Sequence, residues 1–171
     1  MIYDKTFEQK GRKLSLYFNH DSWNEGENEL VDLQELAPNS QQLLGYNTFS
    51  GEGSKDYLLR SDYVTPLGEN SKLEMGVRLE SRVISSDYFA KQGEDIILGF
   101  DNELDYFEEV GGAFIEYAYE KEAFGFQLGL RNEYTNIRVE NTQESQEDIQ
   151  KNYNQLFPSL STSYKLSLIH I

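Results

Sequence analysis

Long runs of two-residue alternation between apolar and polar positions dominate the chain, and helical periodicity is hard to find. Over residues 72–83, Leu73, Met75, Val77, Leu79 and Val83 fall on one side of an extended backbone, while Lys72, Glu74, Arg78, Glu80 and Arg82 fall on the other. Over residues 123–134, Phe124, Phe126, Leu128 and Leu130 alternate with Gly125, Gln127, Gly129 and Arg131, and Tyr134 continues the apolar row. Near the end, Leu160, Tyr164, Leu166 and Leu168 alternate with Ser159, Ser161, Ser163, Lys165 and Ser167, broken on the apolar side by Thr162. Weaker rows are Leu14, Leu16 and Phe18; Tyr57, Leu59 and Tyr63 opposite Arg60 and Asp62; and Ala113, Ile115, Tyr117 and Tyr119. A looser pair of strands is expected within residues 30–49. The pattern predicts an all-β fold, an antiparallel meander of about seven to eight long strands.

Turn signals fall between the runs. They are Asn24-Glu25-Gly26, Gly51-Glu52-Gly53 and residues 66–70, the last short enough for a tight turn. Residues 87–102 and 141–151 read as long polar loops, and Gly111-Gly112 as a bulge or bend. Short turns at one end and long loops at the other are the asymmetry of an outer-membrane barrel. Three runs reach the roughly 9–11 residues that a transmembrane strand needs, against about 5–6 for an average soluble strand.

Composition narrows the picture. Thirty acidic and 15 basic residues give a net charge of −15, which argues against a nucleic-acid binder and equally against a surface attracted to anionic lipid. The absence of cysteine removes disulfides, thiolate metal sites and a cysteine nucleophile. No run approaches the roughly 18 apolar residues of a spanning helix, but barrel strands average out polar and escape that test. Twelve Tyr and ten Phe against one Trp suit strands and interfacial girdles, and equally a soluble tyrosine-rich sandwich. Met1-Ile2-Tyr3-Asp4-Lys5 does not start a signal peptide, so the reading is a cytoplasmic chain or a fragment.

On spacing alone, the apolar rows fit the core of a soluble β-sandwich or lipocalin-like binding module as well as a lipid-facing surface. A resemblance tips the balance. Residues 126–135 (FQLGLRNEYT), followed after a polar stretch by residues 152–167 (NYNQLFPSLSTSYKLS), resemble the outer-membrane β-barrel family of Bacteroidetes TonB-dependent receptor-like proteins. Residues 10–16 (KGRKLSL), 62–68 (DYVTPLG) and 72–77 (KLEMGV) resemble strands of the same barrel. The resemblance implies a large barrel of the bacterial outer membrane, closed by an amino-terminal plug and driven by the TonB complex to move a bulky nutrient such as a metal chelate or a glycan. The chain shows no plug, TonB box or closing strand, so the expectation is an internal piece: residues 1–167 a partial barrel, and residues 168–171 (LIHI) a non-native tail.

In that barrel Leu73, Met75, Val77, Leu79, Phe124, Phe126, Leu128, Leu130, Tyr164 and Leu166 would face lipid. Arg78, Glu80, Arg82, Arg131 and Glu133 would line the lumen, pairing charges across strands and meeting the plug. Expected partners are outer-membrane lipid, the remaining strands and plug of the parent chain, and the TonB complex through other parts of that chain. No enzyme activity and no cofactor are expected. Acidic clusters within residues 21–29, 101–105 and 144–148 lack EF-hand spacing and read as solvated loop charge. In His20-Asp21-Ser22 the aspartate of an extended chain points away from the other two, which argues against a hydrolytic triad.

Overall fold

The structure, a computed structural model, describes residues 1–34, 42–141 and 148–166. Seven strands follow one another: β1 (Ile2–Thr6), β2 (Lys13–Gln34), β3 (Gln42–Pro66), β4 (Ser71–Gln92), β5 (Asp95–Lys121), β6 (Phe124–Asn141) and β7 (Ile149–Tyr164). They form one antiparallel sheet in the order β1-β2-β3-β4-β5-β6-β7. The all-β meander expected from the alternation is therefore the fold. Among the described residues β1 pairs with β2 alone and β7 with β6 alone, so both sheet edges are open.

The strands run well past their apolar stretches. Beyond them the polar chain stays hydrogen-bonded in long hairpins, which corrects several expected turns and loops. Asn24, Glu25 and Gly26 lie inside β2, opposite Gly53, Glu52 and Gly51 of β3. Gly51 and Gly53 serve close approach and not a turn: a β-carbon on Gly53 would collide with the Asn24 amide, and one on Gly51 with the Asp87 carboxylate. Most of residues 87–102 is also strand, with Gly93 and Glu94 turning between β4 and β5. Gly111 and Gly112 pair in step with Leu79 and Arg78; the register shifts lie instead between Val31 and Leu33 and between Phe89 and Lys91. Of residues 141–151, Asn141 ends β6 and residues 149–151 open β7, while 142–147 lie outside the described residues. The tail at 168–171 lies outside them too.

At the opposite end the connections are short. Leu67 donates its backbone N–H to Ser71 O at 2.8 Å and accepts the Ser71 hydroxyl at 2.5 Å. Between β5 and β6 only Glu122 and Ala123 intervene, and Glu122 has φ 52°, the one non-glycine among the described residues in the left-handed region. That conformation strains any residue with a β-carbon. Glu122→Gly is expected to stabilise the protein by about 0.5–1 kcal/mol after glycine's entropic penalty, read as a higher urea midpoint. An unchanged midpoint would mean that the turn carries no strain.

There is almost no conventional core. Among the described residues Ala90 is the one buried hydrophobic, and the accessible surface is 13293 Å². A compact globular protein of this mass, 19.8 kDa, would expose roughly 8,600 Å². A sandwich would need a second sheet over the apolar face, and the described residues form one sheet.

Candidate functional site

Residues directly opposite in an antiparallel ladder share a face, so the register sorts every side chain. One face carries the rung Leu14–Tyr63–Met75–Ile115–Leu130–Pro158 and its neighbours, Leu16–Ser61–Val77–Ala113–Asn132–Leu156 and Phe18–Leu59–Leu79–Gly111–Tyr134–Asn154. Closer to the short turns the same face carries Leu73–Tyr117–Leu128–Leu160, then Tyr119–Phe126–Thr162, then Lys121–Phe124–Tyr164. Nine of the ten expected apolar-face residues thus fall on one surface; the tenth, Leu166, lies past the last paired residue of β7. These side chains stand uncovered: Leu79 is 53% exposed, Leu128 48% and Ile115 48%.

The apolar stretch runs obliquely across the rungs. Its centre is Leu16 on β2 and Gln127 on β6. Following the pairings from Gln127 through Ala118 and Lys72 leads to Pro66 on β3, five residues from Ser61, the partner of Leu16. Five residues at ~3.3 Å over four strand spacings of ~4.8 Å make a slope of roughly 40°. Transmembrane barrel strands tilt by about 35–45° from the axis. A horizontal apolar belt on tilted strands must cross the hydrogen-bonded rungs at that angle.

Aromatic rings cluster within the belt on β5 and β6 and again at its far boundary. Tyr117, Tyr119 and Phe124 each lie within 6.2 Å, ring centre to ring centre, of Phe126. At the far boundary His20 stacks on Tyr57 at 4.4 Å, with Nδ1 3.2 Å from the Asp56 carbonyl oxygen. His20 and Ser22 occupy this face and Asp21 the other, so the three do not converge.

The opposite face is charged. All five residues expected there, Arg78, Glu80, Arg82, Arg131 and Glu133, lie on it. Arg82 is a hub across three strands: its Nε donates to Asp56 Oδ1 of β3 at 2.6 Å, and its terminal nitrogens lie 3.7 Å from Glu80 and from Glu108 of β5. Asp56 also accepts the Ser54 hydroxyl at 2.7 Å. Three arginines pair with the carboxylate two residues along their own strand, where period two brings it to the same side: Arg60 with Asp62 at 2.7 Å, Arg78 with Glu80 at 2.5 Å and Arg131 with Glu133 at 2.9 Å. Arg131 further lies over the Phe157 ring at 4.9 Å. Arg60 and Arg78 face each other directly across β3 and β4, a like-charge pairing that these carboxylates neutralise. With Phe114 and Arg131 they border a concavity on this face. Asp56, Arg60, Asp62 and Glu108 complete the network. Sequence reasoning placed Arg60 and Asp62 opposite an apolar row but did not find the Arg82 partners, because strand parity names the face and only register names the neighbour.

The first two acidic clusters are carried on strands and not on loops, while Asp148 of the third lies just before β7. Asp21, Glu25, Glu27 and Glu29 project from the charged face of β2, and Asp101, Glu103 and Asp105 from the apolar side of β5 beyond the belt. Among the described residues no three His, Asp or Glu side chains are arranged to hold a metal. Glu144 and Glu147 lie outside the described residues.

Comparison with known proteins agrees with this geometry. The sequence model of a family described as outer membrane protein beta-barrel family matches residues 5–170. No curated protein matches the chain.

Proposed function

The chain belongs to the outer membrane protein beta-barrel family, whose place is the bacterial outer membrane, and on that premise we propose that it is an arc of a larger TonB-dependent receptor-like barrel that imports a bulky nutrient. The observation that carries this reading is a wide, uncovered apolar belt on one face of a single sheet whose other face is a network of ion pairs. Lipid covers the belt, and the charged face lines the lumen. Hydrocarbon offers no hydrogen bonds, so the open edges of β1 and β7 are met by further strands that complete the ring. Large transporters have about 22 strands, of which these seven make roughly a third. A plug carried by the parent polypeptide closes the lumen, its polar surface resting on the concavity bordered by Arg60, Arg78 and Arg131. The TonB complex displaces the plug to release the cargo, a metal chelate or a glycan. No bond is made or broken and no cofactor takes part.

The test is uptake by cells lacking the gene. Loss of uptake of one cargo class by at least about tenfold, matched by an equal loss when the TonB complex is removed, is the expected result. Unchanged uptake of both classes would overturn the transport reading while leaving the barrel intact.

A further inference from the structure

The apolar face holds an asymmetry of charge that the overall composition opposes. From the short turns to the rung Phe18–Leu59–Leu79–Gly111–Tyr134, no described outward position is Asp or Glu. The outward charged residues there are Lys5, Arg12 and Lys121, beside turns that themselves carry Glu8, Lys10, Glu69 and Glu122, in a chain with twice as many acidic as basic residues. Two of them are built into one cluster. Lys5 Nζ lies 5.2 Å and the Arg12 guanidinium 4.7 Å from the centre of the Phe7 ring. The guanidinium also lies 5.5 Å from the Tyr63 ring centre, and Arg12 Nε donates to the Tyr63 hydroxyl at 2.5 Å. Neither cation has a carboxylate partner among the described residues, whereas Lys13, one position on and facing the other way, pairs with Asp4 at 3.1 Å.

Height matches this chemistry. Arg12 is four residues from Leu16, which at a tilt near 40° puts its backbone ~10 Å below the middle of the belt, close to the edge of an apolar band ~25 Å tall. Its long side chain, and that of Lys5, cover the remaining distance to the headgroups. Short turns mark the periplasmic end of such barrels.

We infer that Lys5 and Arg12, held by Phe7 and Tyr63, form a binding site for the phosphate of an anionic phospholipid in the periplasmic leaflet. Both cations donate hydrogen bonds of the kind a phosphodiester accepts, and their aromatic contacts keep them oriented before the lipid arrives. The inference rests on the apolar face meeting lipid and does not depend on what the barrel transports.

The experiment is a lipid titration of the complete protein, purified in detergent and read by native mass spectrometry with phosphatidylglycerol, phosphatidylcholine and lipid A. Wild type is expected to prefer phosphatidylglycerol. The double substitution Lys5→Gln with Arg12→Gln should weaken that lipid by about ten- to thirtyfold and leave phosphatidylcholine unchanged, whereas Lys5→Arg with Arg12→Lys should keep most of the affinity. Millimolar inorganic phosphate should not displace the lipid. Leu128→Cys, carrying a label sensitive to a bilayer-confined quencher, reports in parallel samples of the vesicle-embedded protein whether the apolar face meets lipid. Quenching retained with unchanged phosphatidylglycerol affinity in the double variant would overturn the site alone. Loss of quenching would overturn the facing of the sheet and the site with it. Preference for lipid A over phosphatidylglycerol would overturn the leaflet, and competition by free phosphate would reduce the site to an ion site.

Discussion

Leu128→Lys is expected to destabilise the barrel by about 2–4 kcal/mol, while Gln127→Lys, one residue away, should change stability by less than about 0.5 kcal/mol. Leu128 sits near the centre of the apolar belt on β6, in register with Tyr117 and Leu160. A lysine there has an ammonium group in hydrocarbon near mid-depth, too far from either headgroup layer to snorkel without cost. Gln127 faces the charged side, between Ala118 and Ser161, where an added cation meets water and carboxylates. Urea unfolding of the vesicle-embedded protein measures both. The same substitution on a sheet face open to water would cost little, since Leu128 is 48% exposed within the sheet. Equal tolerance at the two positions would therefore count against a lipid-facing belt.

Gly76→Ala should cost about 1–3 kcal/mol, and Gly112→Ala next to nothing. A β-carbon on Gly76 would sit 2.8 Å from the Ser61 carbonyl oxygen and 2.9 Å from Asp62 Oδ1, and closer still to the edge of the Phe114 ring. The ring can turn into the open concavity. The carbonyl belongs to the β3 backbone and can yield only by prising β3 from β4, and Asp62 Oδ1 is already buried without a hydrogen-bond partner. At Gly112 the nearest atoms are Glu133 Cγ at 3.6 Å and Asn132 O at 3.7 Å, ordinary contacts for a methyl group. Comparing the two urea midpoints separates close packing from the general loss of a glycine. If both fall equally, Gly76 is not needed for space.

Much of the sheet was legible in the sequence where apolar and polar residues contrast. The rows led by Leu73, Phe124 and Tyr57 fall on the face assigned to them, and the tight turn at 66–70 is a turn. The strand β1 was missed because five residues, IYDKT, offer no row long enough to read. The polar ends of β2, β3, β4 and β5 were taken for turns and loops because water wets both of their faces, leaving no alternation to detect. Glycine then misled: at 51 and 53 it answers to a neighbouring side chain on another strand.

Which face a residue occupies was determined by the sequence alone, because parity depends only on neighbours two positions away along an extended backbone. That is why Arg78, Arg82, Arg131 and their apolar counterparts could be sorted from residue order. Register belongs to the tertiary structure, since a strand can slide by two residues against its neighbour without moving any side chain to the other face. Register brought Asp56 and Glu108 to Arg82, 26 residues from either of them, and set Arg60 against Arg78. It also tilted the apolar belt across the rungs and left Lys5 and Arg12 together beside its short-turn edge, where local pattern carries no information about height along the sheet.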